Sequence, residues 1–216
     1  MRAKNILYLG IDPSRYLHSG ILHHLPLIRT IPRPFQGEIK MQFENSGRYT
    51  HVLFTSRTTI PLYLDFASKA GFSLSMLQEK IYLSIGQSTT QRLEEAGLTA
   101  TYTTCVETGE GIVSLLESIP LSQAHLFFPR SAQGRSVITH YLEKREMPFT
   151  LVDLYDTEPN PVILPDLEQF DEIVFTSPST VHAFYAQTKK LPPLEKCVAL
   201  GPITASTLKE YSITVP

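Results

Sequence analysis

The sequence contains no tryptophan, and only two of its 216 residues, Cys105 and Cys197, are cysteine. A disulfide framework is therefore excluded as the basis of the fold. Two widely separated cysteines in strand-like segments read as buried free thiols in a reducing compartment. Charge is sparse as well, with 19% Asp, Glu, Lys and Arg and a formal net charge of −2. Without a basic excess, nucleic acid is not the expected partner. An anionic ligand would have to be held by local backbone amides and a few arginines. No apolar run is long enough for a signal peptide or a membrane span, and Met1–Lys4 leads straight into the apolar stretch Ile6–Ile11. A cytoplasmic protein with no membrane partner is expected, as a monomer.

Several chemical fingerprints are missing too. No Gly-x-Gly-x-x-Gly or Walker pattern follows any apolar run, so there is no nucleotide signature. There is no Gly-x-Ser-x-Gly elbow, and neither cysteine has an activating neighbour in sequence. His18, His23 and His24 lack metal-ligand spacing with a carboxylate and read as a solvated helix face. His182, next to Val181, reads as partly buried rather than catalytic. Neither a metal nor another cofactor is expected.

What is present is a repeat. Residues 173–185 read IVFTSPSTVHAFY: an apolar run, a cluster of small hydroxyl residues, then Val181, Phe184 and Tyr185 at helical spacing. Residues 52–64, VLFTSRTTIPLYL, follow the same plan 121 positions earlier. A second motif recurs in the same order, Leu83-Ser84-Ile85-Gly86-Gln87-Ser88-Thr89 and Val198-Ala199-Leu200-Gly201-Pro202-Ile203-Thr204, 115 positions apart. Two motifs repeated in one order indicate a duplicated α/β architecture. At each strand-to-helix turn the first N–H groups of the helix lack intrahelical partners and can face an anion.

In chain order, the spacing predicts a strand from Ile6 and a helix from Pro13-Ser14 with Leu17, Ile21, Leu22 and Leu25 as its stripe. Strands follow at Leu27–Ile31, Ile39–Phe43, His51–Thr55, Ile81–Ile85 and Thr99–Thr103. Gly97 is a candidate helix C-cap. Thr108 caps a helix with Ile112, Leu115, Leu116 and Ile119 on one face. Further strands are expected at His125–Phe128 and Phe149–Tyr155, with a last one near Ile213. Alternating strands and helices imply parallel sheets. Proline-rich stretches at 32–37 and 155–161 read as linkers. The expected fold is thus α/β, with two doubly wound parallel-sheet domains joined by two linker strands. One is continuous, residues 38–154; the other is discontinuous, residues 1–33 with 160–216. Residues 126–155 resemble residues 6–31, so the second domain is the first in permuted order. The cleft between the domains is expected to collect the turns at 55–58, 86–90, 129–135, 176–180 and 201–204.

The paired Phe-Thr-Ser strand ends, the apolar-Gly-x-x-Thr turns, the arginine-bearing 130–135 loop and Tyr155-x-Thr157 together resemble the uroporphyrinogen-III synthase family, over nearly the whole chain after residue 50. The resemblance implies two α/β domains joined by a two-stranded ladder, and a cofactor-free closure of linear hydroxymethylbilane to uroporphyrinogen III in haem biosynthesis. The terminal pyrrole is inverted and water is lost. Tyr155 matches the family's functional tyrosine and is the candidate proton donor. Thr89 and Thr204 match its cleft threonines, and Ser56, Ser177 and Ser179 the serines after the two Phe-Thr-Ser strands. Arg130 and Arg135 are expected to pair with the substrate's carboxylate arms.

Two departures stand out. Leu9-Gly10-Ile11-Asp12 occupies the place of the family's Thr-Arg. The helix that would match the one capped by Thr108 falls at about 223–234 by the 115-residue offset, beyond Pro216. The competing class is a non-catalytic two-domain binding protein for a tetrapyrrole or another anion. A third is a two-domain glycosyl or phosphoryl transferase, which the missing nucleotide signature disfavours.

Overall fold

A computed structural model describes residues 2–14 and 16–213. The chain divides into two compact units, Met1–Thr30 with Thr157–Pro216 and Ile31–Asp156. The first contains β1 (Asn5–Tyr8) and β2 (Ile21–His24), and the chain leaves it along β3 (Ile28–Pro32). The second holds α1 (Gly37–Glu44), β4 (His51–Phe54), α2 (Thr59–Lys69), α3 (Leu74–Gln78), β5 (Ile81–Ile85), α4 (Gly86–Glu95), β6 (Ala100–Thr104), α5 (Gly109–Ser118), β7 (Leu126–Ser131) and α6 (Val137–Lys144). β8 (Phe149–Pro159) carries the chain back to β9 (Glu172–Phe175), α7 (Pro178–Thr188), β10 (Cys197–Ala199) and α8 (Pro202–Ile213).

The larger sheet has the order β3-β8-β7-β4-β5-β6, and the smaller β10-β9-β1-β2. Every ladder of the smaller sheet is parallel, and so are those joining β8, β7, β4, β5 and β6. β3 is the exception. The Asn160 N–H donates to the Leu27 carbonyl at one end and the Arg33 N–H to Leu154 at the other, so β3 and β8 run antiparallel. Of the proline-rich segments, residues 155–159 are therefore strand, whereas 33–36 lie outside any strand and lead from β3 into α1. Pro32 is tolerated because β3 is the edge of its sheet, where a missing N–H leaves no ladder bond broken.

β4 is wholly buried at the centre of its sheet, as its run His-Val-Leu-Phe requires. One face of that sheet packs Phe43, Phe54, Tyr63, Phe66 and Leu93; the other packs Leu53, Leu83, Ile112, Leu116 and Ile138. Helices thus cover both faces. In the smaller sheet Leu7, Leu9 and Phe175 face Val181 and Phe184 of α7 and Leu208 of α8. On its other face Ile6, Tyr8 and Val174 are met by Tyr16 and Leu22.

That second face bears on a correction. The expected helix from Pro13 is absent among the described residues: Leu17 is 95% exposed, and Ile21–His24 is a strand pairing with β1. Gly20 explains the turn into it, since a Cβ there would fall 2.2 Å from the Lys4 carbonyl oxygen. Ile39–Phe43 is helical rather than extended, because Ile39 and Phe43, four apart, turn to the same core. Residues near Ile213 end α8 instead of forming a strand. Cys105 is exposed, Cys197 half-buried, and His182 exposed with Nδ1 2.8 Å from the Tyr211 hydroxyl. Other signals hold. The Thr108 hydroxyl accepts the Gly111 N–H at 3.2 Å. Gly97, at φ +77°, closes α4 as its N–H reaches Glu94 while that of Leu98 reaches Leu93.

Candidate active site

In the larger sheet the chain moves outward from β4 through β5 to β6, then returns beside β4 to β7 and goes outward again to β8. The strand order therefore reverses between β4 and β7. In open parallel sheets ligands bind at the carboxyl ends of the strands, at such a reversal. Those ends carry Tyr155 (β8), Arg130 (β7), Ser56 just past β4 and Thr89 just past β5. At about 4.8 Å per strand, β8 to β5 spans roughly 14 Å.

Tyr155 reaches this edge through an irregularity. Arg130 pairs with Asp153 but Ser131 pairs with Tyr155, so Leu154 is an extra residue in β8. Strict alternation would have put Tyr155 on the face opposite Leu154; the bulge brings Val152, Leu154 and Tyr155 into the same cluster. The ring is 5% exposed. Its hydroxyl makes no hydrogen bond with a described residue, yet it is not among the oxygens shut away from solvent without a partner.

Thr89 and Thr204 are buried in the first turns of α4 and α8, and neither hydroxyl has a partner among the described residues. Near neighbours behave differently. Thr90 donates to the Gly86 carbonyl at 3.2 Å and joins buried Ser84 and half-buried Thr103 in a hydroxyl triad at 2.7–3.1 Å; Thr207 donates to Ile203 at 2.9 Å. The Ser56 Oγ accepts the Thr58 N–H at 3.2 Å and so turns the chain into α2.

The arginines have intramolecular partners. Arg130, with a side chain only 12% exposed, donates from Nε to Asp153 (3.2 Å) and from Nη1 to the Gly134 and Arg135 carbonyls, which fixes the loop after β7. Arg135 grips Glu110 through two bonds of 3.1 Å. That grip, with help from the local backbone, holds the Glu110 carboxyl down at about 2. Arg33 forms a fork with Asp156 at 2.7 and 2.9 Å and lowers that carboxyl as well. Arg33, Asp153 and Asp156 went unnoticed in the sequence; the only trace there was two aspartates bracketing Leu154-Tyr155.

The smaller sheet repeats the plan, reversing between β1 and β9. Ser177 is the N-cap of α7; Thr180 returns a bond to the Ser177 N–H at 3.3 Å, while the Ser177 Oγ is buried without a partner. Ser179 lies half-buried in the first turn. Opposite, a Cβ on Gly10 would fall 2.4 Å from Thr176 Cγ2. Gly10 thus has no room for a side chain beside Thr176, whereas Ile11 after it is exposed. Tyr155, Ser56, Thr89, Arg130 and Arg135 belong to one unit, and Ser177, Ser179 and Thr204 to the other. Among the described residues no three of His, Cys, Asp and Glu are placed to hold a metal ion, and no helix is long and apolar enough to cross a membrane.

The chain is 25% identical over 217 residues to the porphyrin biosynthesis protein HemD of Ruminiclostridium josui, matching 95% of its own length and spanning 40% of that relative. Its fold is similar to a mutant uroporphyrinogen III synthase from the extremely thermophilic bacterium Thermus thermophilus, with a TM-score of 0.66 at 17% identity over 97% of this chain and 90% of the other. It is also similar to uroporphyrinogen-III synthetase from Helicobacter pylori, with a TM-score of 0.61 at 19% identity over 100% and 91%. The profile described as uroporphyrinogen-III synthase HemD matches residues 17–216, and the chain belongs to that family.

Proposed function

We propose that this chain cyclises and dehydrates hydroxymethylbilane to uroporphyrinogen III, inverting the terminal pyrrole ring, in porphyrin and haem biosynthesis. The observation that carries the reading is the family match over residues 17–216. In support, candidate residues of each unit stand at the carboxyl edge of a parallel sheet.

The chemistry asks little of the protein beyond an acid and a shape. A pyrrole nitrogen pushes its lone pair toward the hydroxymethyl carbon as the C–O bond breaks. The Tyr155 hydroxyl hydrogen-bonds to the departing oxygen and passes its proton to it, so that it leaves as water, and the phenolate regains a proton when the pyrrole carbon that closes the ring loses its own. The cation left behind is attacked by the substituted carbon of the terminal ring. The bond from that carbon to its original bridging methylene then breaks, and the released methylene cation closes on the ring's free α carbon, which loses its proton. Holding the flexible chain in those poses is the larger part of the work. Taken unit by unit, a carboxylate is met by first-turn N–H groups of α4, with Ser56 and Thr89 beside them, in one, and by those of α7 and α8, with Ser177, Ser179 and Thr204, in the other; in α2 the Thr59 and Ile60 N–H groups are already bonded and Pro61 has none. Arg135 reaches an arm only at the expense of its Glu110 fork, and Arg130 serves the loop rather than the ligand. No step calls for a metal or another cofactor. We read the protein as a cytoplasmic monomer without a nucleic-acid partner, in keeping with its net charge of −2.

The test is consumption of hydroxymethylbilane by purified protein in the presence of a chelator, against the spontaneous rate. Accelerated consumption is expected. Saturable binding with no acceleration would instead identify a tetrapyrrole-binding protein, and loss of activity that a metal ion restores would contradict the cofactor-free mechanism.

A further inference from the structure

The bulge that turns Tyr155 is bracketed by two carboxylates, and each is tied to a cation on a different neighbour of β8. Asp153, just before Leu154-Tyr155, accepts from Arg130 of β7 at 3.2 Å. Asp156, just after, takes the two-bond fork from Arg33, the residue following β3, and a third bond from Gln133 Nε2 at 3.2 Å. Arg33 also lies 3.8 Å from the second oxygen of Asp153, which joins the two halves. The backbone is held in the same way. The Leu154 carbonyl accepts the Arg33 N–H at 2.8 Å, and the Tyr155 carbonyl accepts the Ala132 N–H at 2.9 Å.

We propose that Asp153, Asp156, Arg33 and Arg130 form a clamp of positioning residues that fixes which way Tyr155 faces, and thereby the rate of the chemical step. The proposal rests on the reading of Tyr155 as the proton donor. A bulge interrupts the ladder and leaves its extra residue unpaired, and a one-residue slip would send the tyrosine to the opposite face. Charge-assisted fork bonds have the directionality to prevent that slip. The Arg33 and Asp156 side chains are 40% and 31% exposed, a setting in which ion pairs add little to stability. Placement is another matter, since an error of about 1 Å can cost on the order of a hundredfold in rate. The clamp therefore acts on rate far more than on melting temperature.

A double-mutant cycle decides it. Asp156→Asn and Arg33→Lys, each with and without Tyr155→Phe, are compared for kcat, KM and melting temperature; Arg33→Lys keeps the charge but loses the fork, so it serves if Asp156→Asn does not fold. Each clamp variant alone is expected to lower kcat about tenfold with KM nearly unchanged. In the Tyr155→Phe background the same change should add less than about twofold, because what the clamp positions is already gone. Normal kcat in folded clamp variants, with Tyr155→Phe impaired, overturns the clamp and leaves the tyrosine assignment standing. Losses that multiply fully in the double variants show action by another route and overturn it as well. Full activity of Tyr155→Phe removes both.

Discussion

Tyr155 combines a ring packed among Val52, Phe127 and Leu154 with a hydroxyl that no described residue engages. A phenol held for packing alone has no need of an open hydroxyl, whereas an acid for a departing group does. Tyr155→Phe keeps the packing and removes the donor, so kcat should fall roughly ten- to a thousandfold with KM little changed, as for a contact made mainly in the transition state. Steady-state kinetics of a variant with unaltered melting would show it, and an unchanged kcat would return the residue to a packing role. A second residue-scale prediction concerns Glu110. Its folded value of about 2 lies below the ordinary 4.5, so the Arg135 pair stabilises above pH 4.5 and loses its contribution as pH falls from there toward 2. Wild type should therefore melt slightly above Glu110→Gln near neutrality, with the gap closing in acid; a gap that stays constant would mean the charge plays no part. At this scale the sequence was half legible. The type and position of each candidate could be read, but not that Arg130 is occupied by Asp153 and two carbonyls, because partners 4 to 23 positions away are set by the register of β7 and β8.

Most strands, turns and caps were legible in local signals, whereas Ile21–His24 and the bulge in β8, which depend on how strands pair, were not, and α1 was misread. The turn into α4 is an example of the first. Gly86 has φ +69°, and a Cβ there would fall 2.1 Å from the Glu107 carboxylate, so only glycine serves. Gly86→Ala should cost at least roughly 1–2 kcal/mol from the left-handed backbone alone, visible as a lower denaturation midpoint. A variant as stable as wild type would mean that the turn has an alternative conformation. Thr108 makes a milder case: Thr108→Ala removes the cap of α5 and should cost about 1 kcal/mol by the same measurement. Residues 13–25 show the other side. Leu17, Ile21, Leu22 and Leu25 lie at helical spacing, but β1 needs a parallel neighbour, and Ile21–His24 supplies it. Periodicity does not reveal that demand. The extra residue in β8 was equally hidden, since a bulge is a relation between two strands.

Across the whole chain, the order β2-β1-β9-β10 in one sheet corresponds to β8-β7-β4-β5 in the other, strand for strand. β9 and β4 carry the Phe-Thr-Ser ends, β10 and β5 the Gly-x-x-Thr turns. The permuted duplication visible in the sequence is therefore a property of the fold, and it provides two strand-order reversals, each with hydroxyl-bearing helix starts beside it. The central claim is that the protein directs ring closure rather than merely holding a tetrapyrrole, and the product isomer tests this most directly. Hydroxymethylbilane left alone closes to uroporphyrinogen I, without inversion. Chromatographic separation of the products after incubation with the purified protein should show uroporphyrinogen III as the dominant isomer, whereas uroporphyrinogen I in the proportion found without protein would contradict the account.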